Sequence, residues 1–416
     1  MFDLDSWQEI WSTITRNKTR SLLTAFGVFW GLFMLIVLMG IGSGFKSGVF
    51  SMLDGLDVRT VVFQSDATGL PYKGYRKGRY WNMTSRDLPI IRQNAQSVEY
   101  MTPLLSGRSG DSNTVRGLKS GSYSNVGLLP DYFKINAVEV LQGRILNEMD
   151  EEQNRKVCVI GEEVYETLFD IDEDPIGQNI RLNGIYFQVV GVVKQISQMT
   201  LFSYPPTTIY IPFSTMQRTF TRGDYIHALF CSAKPGYPSA MVEEEVSDIL
   251  KRNHDIAPED TQAIYSYNIE KELMLFQNLT LGVNVLVLIV GLGALFSGVI
   301  GISNIMLVTV RERTREIGVR RALGAKPRNI LWQVMSESLV LTSLAGLVGF
   351  LVAVGVLAVA SQIMEASPIE GFGPPLISFG LALGAMAILI ASGALAGLMP
   401  ALKALQIKAI DALRDE

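Results

Sequence analysis

The chain has 416 residues and a net charge of −4, and it is 48% hydrophobic but only 18% charged. The near-neutral charge gives no indication of nucleic-acid binding. The apolar residues gather in four blocks, and each block reaches the roughly 20 residues that a membrane-spanning helix needs. The sequence therefore predicts an α-helical membrane protein with four transmembrane helices, whose apolar blocks are residues 22–44, 280–308, 331–360 and 377–399.

The chain begins with a segment that is amphipathic at helical spacing. Residues 1–20 are predicted to form a cytoplasmic helix that lies along the inner leaflet, with an apolar stripe made of Leu4, Trp7, Ile10, Trp11 and Ile14. The first transmembrane helix is predicted over residues 21–44. Its apolar run is longer than the roughly 7–15 residues of a signal-peptide core, so we expect it to be retained.

Residues 45–272 are predicted to form a large mixed α+β domain, inserted between the first and second transmembrane helices. Short β-branched segments alternate with helical ones, and Asn183 with Gly184 predicts the type I′ turn of a hairpin. Both cysteines, Cys158 and Cys231, lie in this segment. A disulfide is chemically permitted outside the cytoplasm, but spacing alone does not bring the two sulfurs together. The favoured interpretation is two buried free thiols on strands.

The remaining chain alternates apolar and charged segments. Basic residues cluster before the first apolar block, between the second and third, and after the fourth, whereas residues 361–376 contain none. Because basic residues accumulate in cytoplasmic loops, both termini are predicted to be cytoplasmic and the α+β domain extracytoplasmic. The predicted segments are a stalk and second span (273–310), a cytoplasmic elbow (311–329), a third span (330–360), a short periplasmic loop (361–376), a fourth span (377–400) and a cytoplasmic tail (401–416).

The predicted spans contain one charged residue and several small residues at four-residue spacing. Glu337 is the charged residue, and we expect it to reach water or the nearby Arg328. Small residues at this spacing let helix backbones approach closely. They predict a tightly packed bundle with helix contacts at Gly293, Ser297, Gly301, Gly393 and Gly397.

The elbow, residues 311–329, is dense in charge between two apolar spans. Glu312 and Glu316 precede arginines at three- or four-residue spacing, which supports a helix. Gly324 is a natural residue for ending that helix, and Pro327 ends it or begins the next. Such an elbow can be a simple positively charged anchor at the cytoplasmic face. The interleaved acids and the rigid break favour a docking surface.

The sequence shows no recognisable catalytic or metal-binding constellation. The two histidines, His227 and His254, have no cysteine or carboxylate at metal-ligand spacing. A nucleotide-binding P-loop needs a glycine where residues 40–47 have Phe45. We therefore expect a non-catalytic subunit with no catalytic residue, cofactor or metal of its own.

The residues around the elbow carry a specific resemblance. The segment 304–325, NIMLVTVRERTREIGVRRALGA, resembles the signature of MacB/FtsX-type ABC transporter permeases. Residues 16–24, RNKTRSLLT, are similar to the family's entry segment, and residues 127–144 and 157–193 resemble its MacB-like periplasmic core domain. Residues 397–401 and 410–414 are similar to the end of its FtsX-like membrane domain. The family's order of one helix, an external domain and three helices matches the predicted order.

The resemblance implies the permease subunit of a type VII, MacB-like ABC transporter in the bacterial inner membrane. It implies a second permease copy (homodimer or paralogue), an ABC ATPase that binds ATP and Mg²⁺, a periplasmic adaptor with an outer-membrane channel, and surrounding membrane lipid. Because the chain begins about twenty residues before its first span, we expect the ATPase to be a separate polypeptide. The ATPase-coupling residues implied by the resemblance are Glu312, Arg313, Glu316, Gly318, Arg320, Arg321, Leu323, Gly324 and Ala325.

Three functions share this architecture. The leading one is export or efflux of a substrate from the periplasmic side, driven through the elbow by ATP hydrolysis. The alternatives are lipoprotein extraction and FtsX-like transmembrane regulation of a cell-wall hydrolase. Because the elbow is common to all three, the sequence leaves the substrate open.

Overall fold

The computed structural model describes residues 18–107, 113–171, 173–197, 204–220, 223–367, 369, 371–375 and 379–407. The chain separates into two compact units, one made of Phe50–Gln277 and the other of the segments on either side of it. Most of the predicted N-terminal amphipathic helix, residues 1–17, lies outside the described residues, as does the tail from residue 408.

The first helix, α1, runs over Lys18–Met52 and therefore extends past the predicted end of the first span at residue 44. Val28, Leu32 and Leu35 are almost fully buried at helical spacing. Phe26 and Trp30 lie on another side, stacked at 5.9 Å between ring centroids and about half exposed. One stripe of α1 thus packs against other helices, while an aromatic stripe faces outward.

The Phe50–Gln277 unit is built on β-strands. Their bounds are β1 (Thr60–Ser65), β2 (Met83–Thr84), β3 (Val98–Ser106), β4 (Asn113–Arg116), β5 (Lys119–Ser122), β6 (Ser124–Leu128), β7 (Val138–Gly143), β8 (Val157–Gly161), β9 (Asn179–Leu182), β10 (Ile185–Gln195), β11 (Thr208–Pro212), β12 (Tyr225–Ile226), β13 (Ala228–Ala233) and β14 (Ile264–Asn268).

Within the described residues, 12 of these strands form one mixed sheet. Its order is β14-β1-β13-β3-β6-β11-β8-β10-β9-β4-β5, and β7 also pairs with β10. The pairs β8–β10 and β6–β11 are parallel, and the others in this sheet are antiparallel. β2 and β12 form a separate two-stranded pair.

Helices cover the central strands of the sheet, so that both faces are buried there. Along β8, Cys158 and Ile160 belong to one apolar core, and Val157 and Val159 belong to the other. A strand buried on both faces is apolar at successive positions, which explains the continuous Val-Cys-Val-Ile run. The helices of this unit are α2 (Asp87–Asn94), α3 (Tyr132–Ile135), α4 (Glu148–Glu152), α5 (Glu162–Leu168), α6 (Phe213–Thr219) and α7 (Ser239–Asn253), with a 3₁₀ turn at Pro205–Thr207.

Two local predictions for this unit can be compared directly with the structure. Asn183 and Gly184 have positive φ angles of 48° and 89° and join β9 to β10, which confirms the predicted hairpin turn. Cys158 on β8 and Cys231 on β13 are buried free thiols, as the favoured interpretation predicted. The mixed α+β class of this domain is also confirmed.

The other unit contains three further long helices, α8 (Ile269–Glu312), α10 (Pro327–Ala366) and α11 (Phe379–Leu405), and the short helix α9 (Thr314–Ala322). Together with α1, the three helices α8, α10 and α11 are long and apolar enough to cross a membrane, which gives four candidate spans among the described residues. At about 1.5 Å per residue α8 is roughly 66 Å long, about twice the thickness of a bilayer core. It therefore has the length for both a span and the predicted stalk.

Glycines allow these helices to approach each other closely. On α11, a Cβ built on Gly397 would lie 2.9 Å from the Cβ of Ser338, and one on Gly393 would lie 3.2 Å from the Cβ of Thr342. On α8 the close contact lies elsewhere than predicted. A Cβ on Gly298 would lie 2.8 Å from the backbone nitrogen of Val28, whereas one on Gly293 would meet nothing within 4 Å.

The predicted contact set on α8 therefore needs correction. Gly293 and Ser297 are exposed and Gly301 is only half-buried. The buried stripe of α8 contains Gly291 and Gly298 instead. Because one residue along a helix turns the side chain by about 100°, the two sets of small residues lie on different faces.

Candidate coupling site

The elbow is a short helix between an irregular residue, Arg313, and a turn at Gly324. After α8 ends at Glu312, Arg313 has φ −103° and ψ 16° and precedes α9. α9 ends in a turn in which Gly324 has a φ of 92°. The Gly324 N–H donates to the Arg321 carbonyl at 3.1 Å, and the Ala325 N–H donates to the Arg320 carbonyl at 3.0 Å. This pair of bonds is the Schellman motif, which gives Gly324 and Ala325 a structural role.

A partly buried ion pair joins the start of α9 to α10. Nη1 of Arg313 lies 3.2 Å from Oε1 of Glu337, and the two side chains are 19% and 8% exposed. The expected neighbour of Glu337, Arg328, stands nine positions earlier on the same helix, about 13 Å away along its axis. The expectation of Arg328 as the partner was therefore wrong, because a tertiary contact from α9 supplies the cation.

Two further arginines of α9 fasten the elbow to its neighbours. Nη1 of Arg320 donates to Oε1 of Gln333 on α10 at 2.8 Å. Nη1 of Arg321 donates to the carbonyl oxygens of Leu405, at 2.9 Å, and of Ile407. Carbonyls at the C-terminal end of a helix lack intrahelical partners and carry partial negative charge, so a guanidinium is a suitable cap for α11.

The residues that the resemblance implied for coupling therefore divide by position. Arg313 and Arg321 are half-buried and face the neighbouring helices, and Gly318 is buried. Glu312, Glu316 and Arg320 are exposed, and Leu323 is the most exposed apolar side chain of the elbow at 83%.

Sequence reasoning missed two parts of this site. Gln333 and Glu337, both on α10, accept hydrogen bonds from Arg320 and Arg313. Val319 is, besides Leu323, a second exposed apolar side chain of the elbow. The signal for Glu337 was present, since it is the one acid within the predicted spans. A small cavity of about 30 Å³ lies between α9 and α10, lined in part by Arg313, Glu316 and Glu337.

No group of three metal-ligating side chains occurs among the residues that the structure describes.

The two sides of the elbow differ. Hydrogen bonds and an ion pair hold its inner side against the neighbouring helices, and its outer side carries exposed charged and apolar groups.

Comparison with known proteins identifies the family. Residues 21–249 match the MacB-like periplasmic core domain, and residues 288–409 match the FtsX-like permease C-terminal domain. The chain belongs to the MacB-like permease family. The elbow lies inside the FtsX-like region, and the sheet domain lies inside the MacB-like region except for its last strand.

Two curated MacB-like relatives show the extent of the likeness. The chain is 28% identical over 403 residues to the macrolide export ATP-binding/permease protein MacB of Neisseria meningitidis serogroup A, covering 97% of this chain and 60% of that protein. It is 30% identical over 421 residues to the pyoverdine export ATP-binding/permease protein PvdT of Pseudomonas putida, covering 99% of this chain and 60% of that protein. The chain thus spans about 60% of the length of these relatives.

A solved structure is also similar to part of this MacB-like permease. The periplasmic region of MacB from Actinobacillus actinomycetemcomitans aligns with 54% of this chain and 96% of its own, at 22% identity and a TM-score of 0.44. The family matches and the four apolar helices make this chain a multi-pass membrane protein of the ABC transporter permeases, with a periplasmic-type α+β domain after its first helix.

Proposed function

We propose that this chain is the permease subunit of a MacB-like export transporter, and that its elbow receives the movement of a separate ABC ATPase subunit. The ATPase binds ATP and Mg²⁺, and this chain transmits the movement without catalysis of its own. The curated relatives are named as exporters and as ATP-binding/permease proteins, which supports an export role and coupling to an ABC ATPase.

The observation that carries the proposal is the way in which the elbow is anchored. α9 is fastened to α10 through Arg313 and Glu337 and to the end of α11 through Arg321. α8 runs without a break from Ile269, directly after β14, to Glu312 at the elbow. A displacement of α9 is therefore passed to three membrane helices at once, and one of them leads directly to the sheet domain.

This mechanism places the chain in the bacterial inner membrane, with both termini and the elbow in the cytoplasm and the sheet domain in the periplasm. Two permease copies, identical or paralogous, bring two periplasmic domains together. ATP-driven closure rearranges these domains and drives substrate onward from the periplasmic side, through an adaptor and an outer-membrane channel. The substrate does not cross the bilayer between these helices, which agrees with their low content of charged side chains.

The test uses the outer face of the elbow, where a change leaves the fold intact. Leu323→Glu places a charge on the most exposed apolar side chain of the elbow. In nanodiscs with the ATPase, we expect the variant to lose the stimulation of ATP hydrolysis by the permease while its melting temperature stays unchanged. Leu118→Glu, at an exposed leucine of the sheet domain, is the matched control and should behave as the wild type.

Charge reversal at Glu316 or Arg320 is also expected to remove the stimulation of ATP hydrolysis by the permease. Normal ATP turnover coupled to transport in all three variants would show that the elbow is not the coupling surface. The purified chain without the ATPase should not hydrolyse MgATP, and hydrolysis that follows this chain through purification would contradict the division of labour.

A further inference from the structure

A long apolar groove lies on the outer surface of the helical unit, between α10 and α11. Its volume is about 420 Å³, and its walls include Trp332, Val340, Leu344, Met386 and Ile390. The hydroxyl of Ser336, which also lines the groove, donates to the carbonyl of Gln333 at 2.8 Å and is satisfied within its own helix.

The groove arises from the close packing of the two helices. A Cβ on Gly346 would lie 2.1 Å from Cδ1 of Leu389, so α10 and α11 interlock at this point because Gly346 has no side chain. Larger side chains stand on both sides of the contact and leave a slot between them. From Trp332 to Leu347 the slot runs about 22 Å along α10, compared with about 30 Å for the whole hydrocarbon core of a bilayer.

An exposed arginine, Arg328, lies one helical turn beyond Trp332, at one end of the groove. Arg328 and Trp332 are four residues apart on α10 and are therefore neighbours on its surface, and the groove residues Ser336, Val340 and Leu344 follow at the same interval. Arg328 is exposed and has no ion pair among the residues that the structure describes. Trp332 is 61% exposed. Tryptophan prefers the level of the lipid head groups, and an arginine beside it can extend its guanidinium to a phosphate while its stem lies along apolar surface.

We propose that this groove binds one anionic phospholipid, with an acyl chain in the slot and the phosphate paired with Arg328. The amphipathic arrangement supports a lipid over a second protein helix. Membrane helices associate through faces of small residues, whereas the rims of this groove are Trp332, Leu344, Met386 and Ile390, which are all large and 45–61% exposed. The phosphate gains from a basic residue at the membrane surface, and the narrow apolar slot fits a flexible chain.

The proposal is tested by measuring lipid retention with the full-length chain. The purified chain is mixed in detergent with dioleoyl phosphatidylglycerol or dioleoyl phosphatidylcholine, and retained lipid is counted by native mass spectrometry. We expect one retained phosphatidylglycerol per chain and weaker retention of phosphatidylcholine. Arg328→Gln should weaken phosphatidylglycerol retention about fivefold, the effect of one basic residue near a membrane surface. Arg315→Gln, at an exposed arginine of α9, is the control for charge and should retain the lipid.

A second pair of variants tests the groove itself. Val340→Trp fills the slot and should abolish retention, whereas Val356→Trp, at an exposed valine of α10 that does not line the groove, should preserve it. Melting temperatures establish that the variants fold, and Arg328→Gln keeps the test decisive should Val340→Trp unfold. Equal retention of both lipids by the wild type, or unchanged retention in Arg328→Gln or in folded Val340→Trp, would overturn the proposal. Conversion of a dimer to a monomer by Val340→Trp would also overturn it, since a second copy would then occupy the groove.

Discussion

Replacing Glu337 with glutamine removes the charge that Arg313 contacts at 3.2 Å while keeping the size of the side chain. Arg313 is then left largely buried without its counter-charge. Removing one partner of a buried ion pair costs about 3–5 kcal/mol. The 19% exposure of Arg313, together with the amide oxygen that glutamine still offers as an acceptor, lowers our expectation to about 2–3 kcal/mol. Replacing both residues with glutamine should cost less, about 1 kcal/mol, because no charge is left unpaired.

The measurement is the free energy of unfolding of the purified chain in mixed micelles, titrated with sodium dodecyl sulfate and followed by tryptophan fluorescence. Glu365→Gln is the matched control, since Glu365 is an exposed acid on the same helix. It should change the free energy by less than about 0.5 kcal/mol. The reasoning is refuted if Glu337→Gln is as mild as the control, or if the double variant costs as much as the two single variants added together.

Three further predictions concern other parts of the chain. In the same titration, Gly298→Ala should lower the free energy of unfolding by about 1–3 kcal/mol, because the added Cβ would lie 2.8 Å from the Val28 backbone nitrogen. Gly293→Ala is the control and should be nearly neutral, because its Cβ would meet nothing within 4 Å. Burial raises the pKa of Asp150, but its bonds to Arg144 and to the Asn147 backbone outweigh this and lower the pKa below 3.8. The stabilisation from ionised Asp150 is therefore complete above the unfolded-state pKa and is lost as pH falls through the folded-state pKa. Asp150→Asn should have a lower melting temperature than the wild type at neutral pH, and its melting temperature should fall less as pH is lowered. Thermal melts across pH measure both effects. Burial also raises the pKa of Cys158 and Cys231, so a maleimide should label neither thiol in the native protein, and mass spectrometry after labelling would expose any rapid reaction.

Features that depend on neighbouring residues could be predicted from the sequence. The turn at Asn183 and Gly184 follows from two positions that tolerate positive φ, and the end of α9 follows from Gly324. The four spans follow from the length of their apolar runs, since a bilayer excludes unpaired backbone groups from its core whatever the tertiary arrangement. These features are local, and therefore the sequence was sufficient.

Contacts between distant segments needed the tertiary structure. Small residues occur on two faces of α8, at Gly293 and Ser297 and at Gly291 and Gly298, and spacing does not reveal which face meets α1. In the same way, the sequence alone determined that Glu337 is an acid inside an apolar span and that the elbow is rich in arginine. Only the packing of α9 against α10 and α11 decided that Arg313 neutralises Glu337 across 24 positions and that Arg321 caps α11 across 84. A buried charge needs a partner, but the fold chooses that partner among many arginines by bringing one of them within hydrogen-bonding distance.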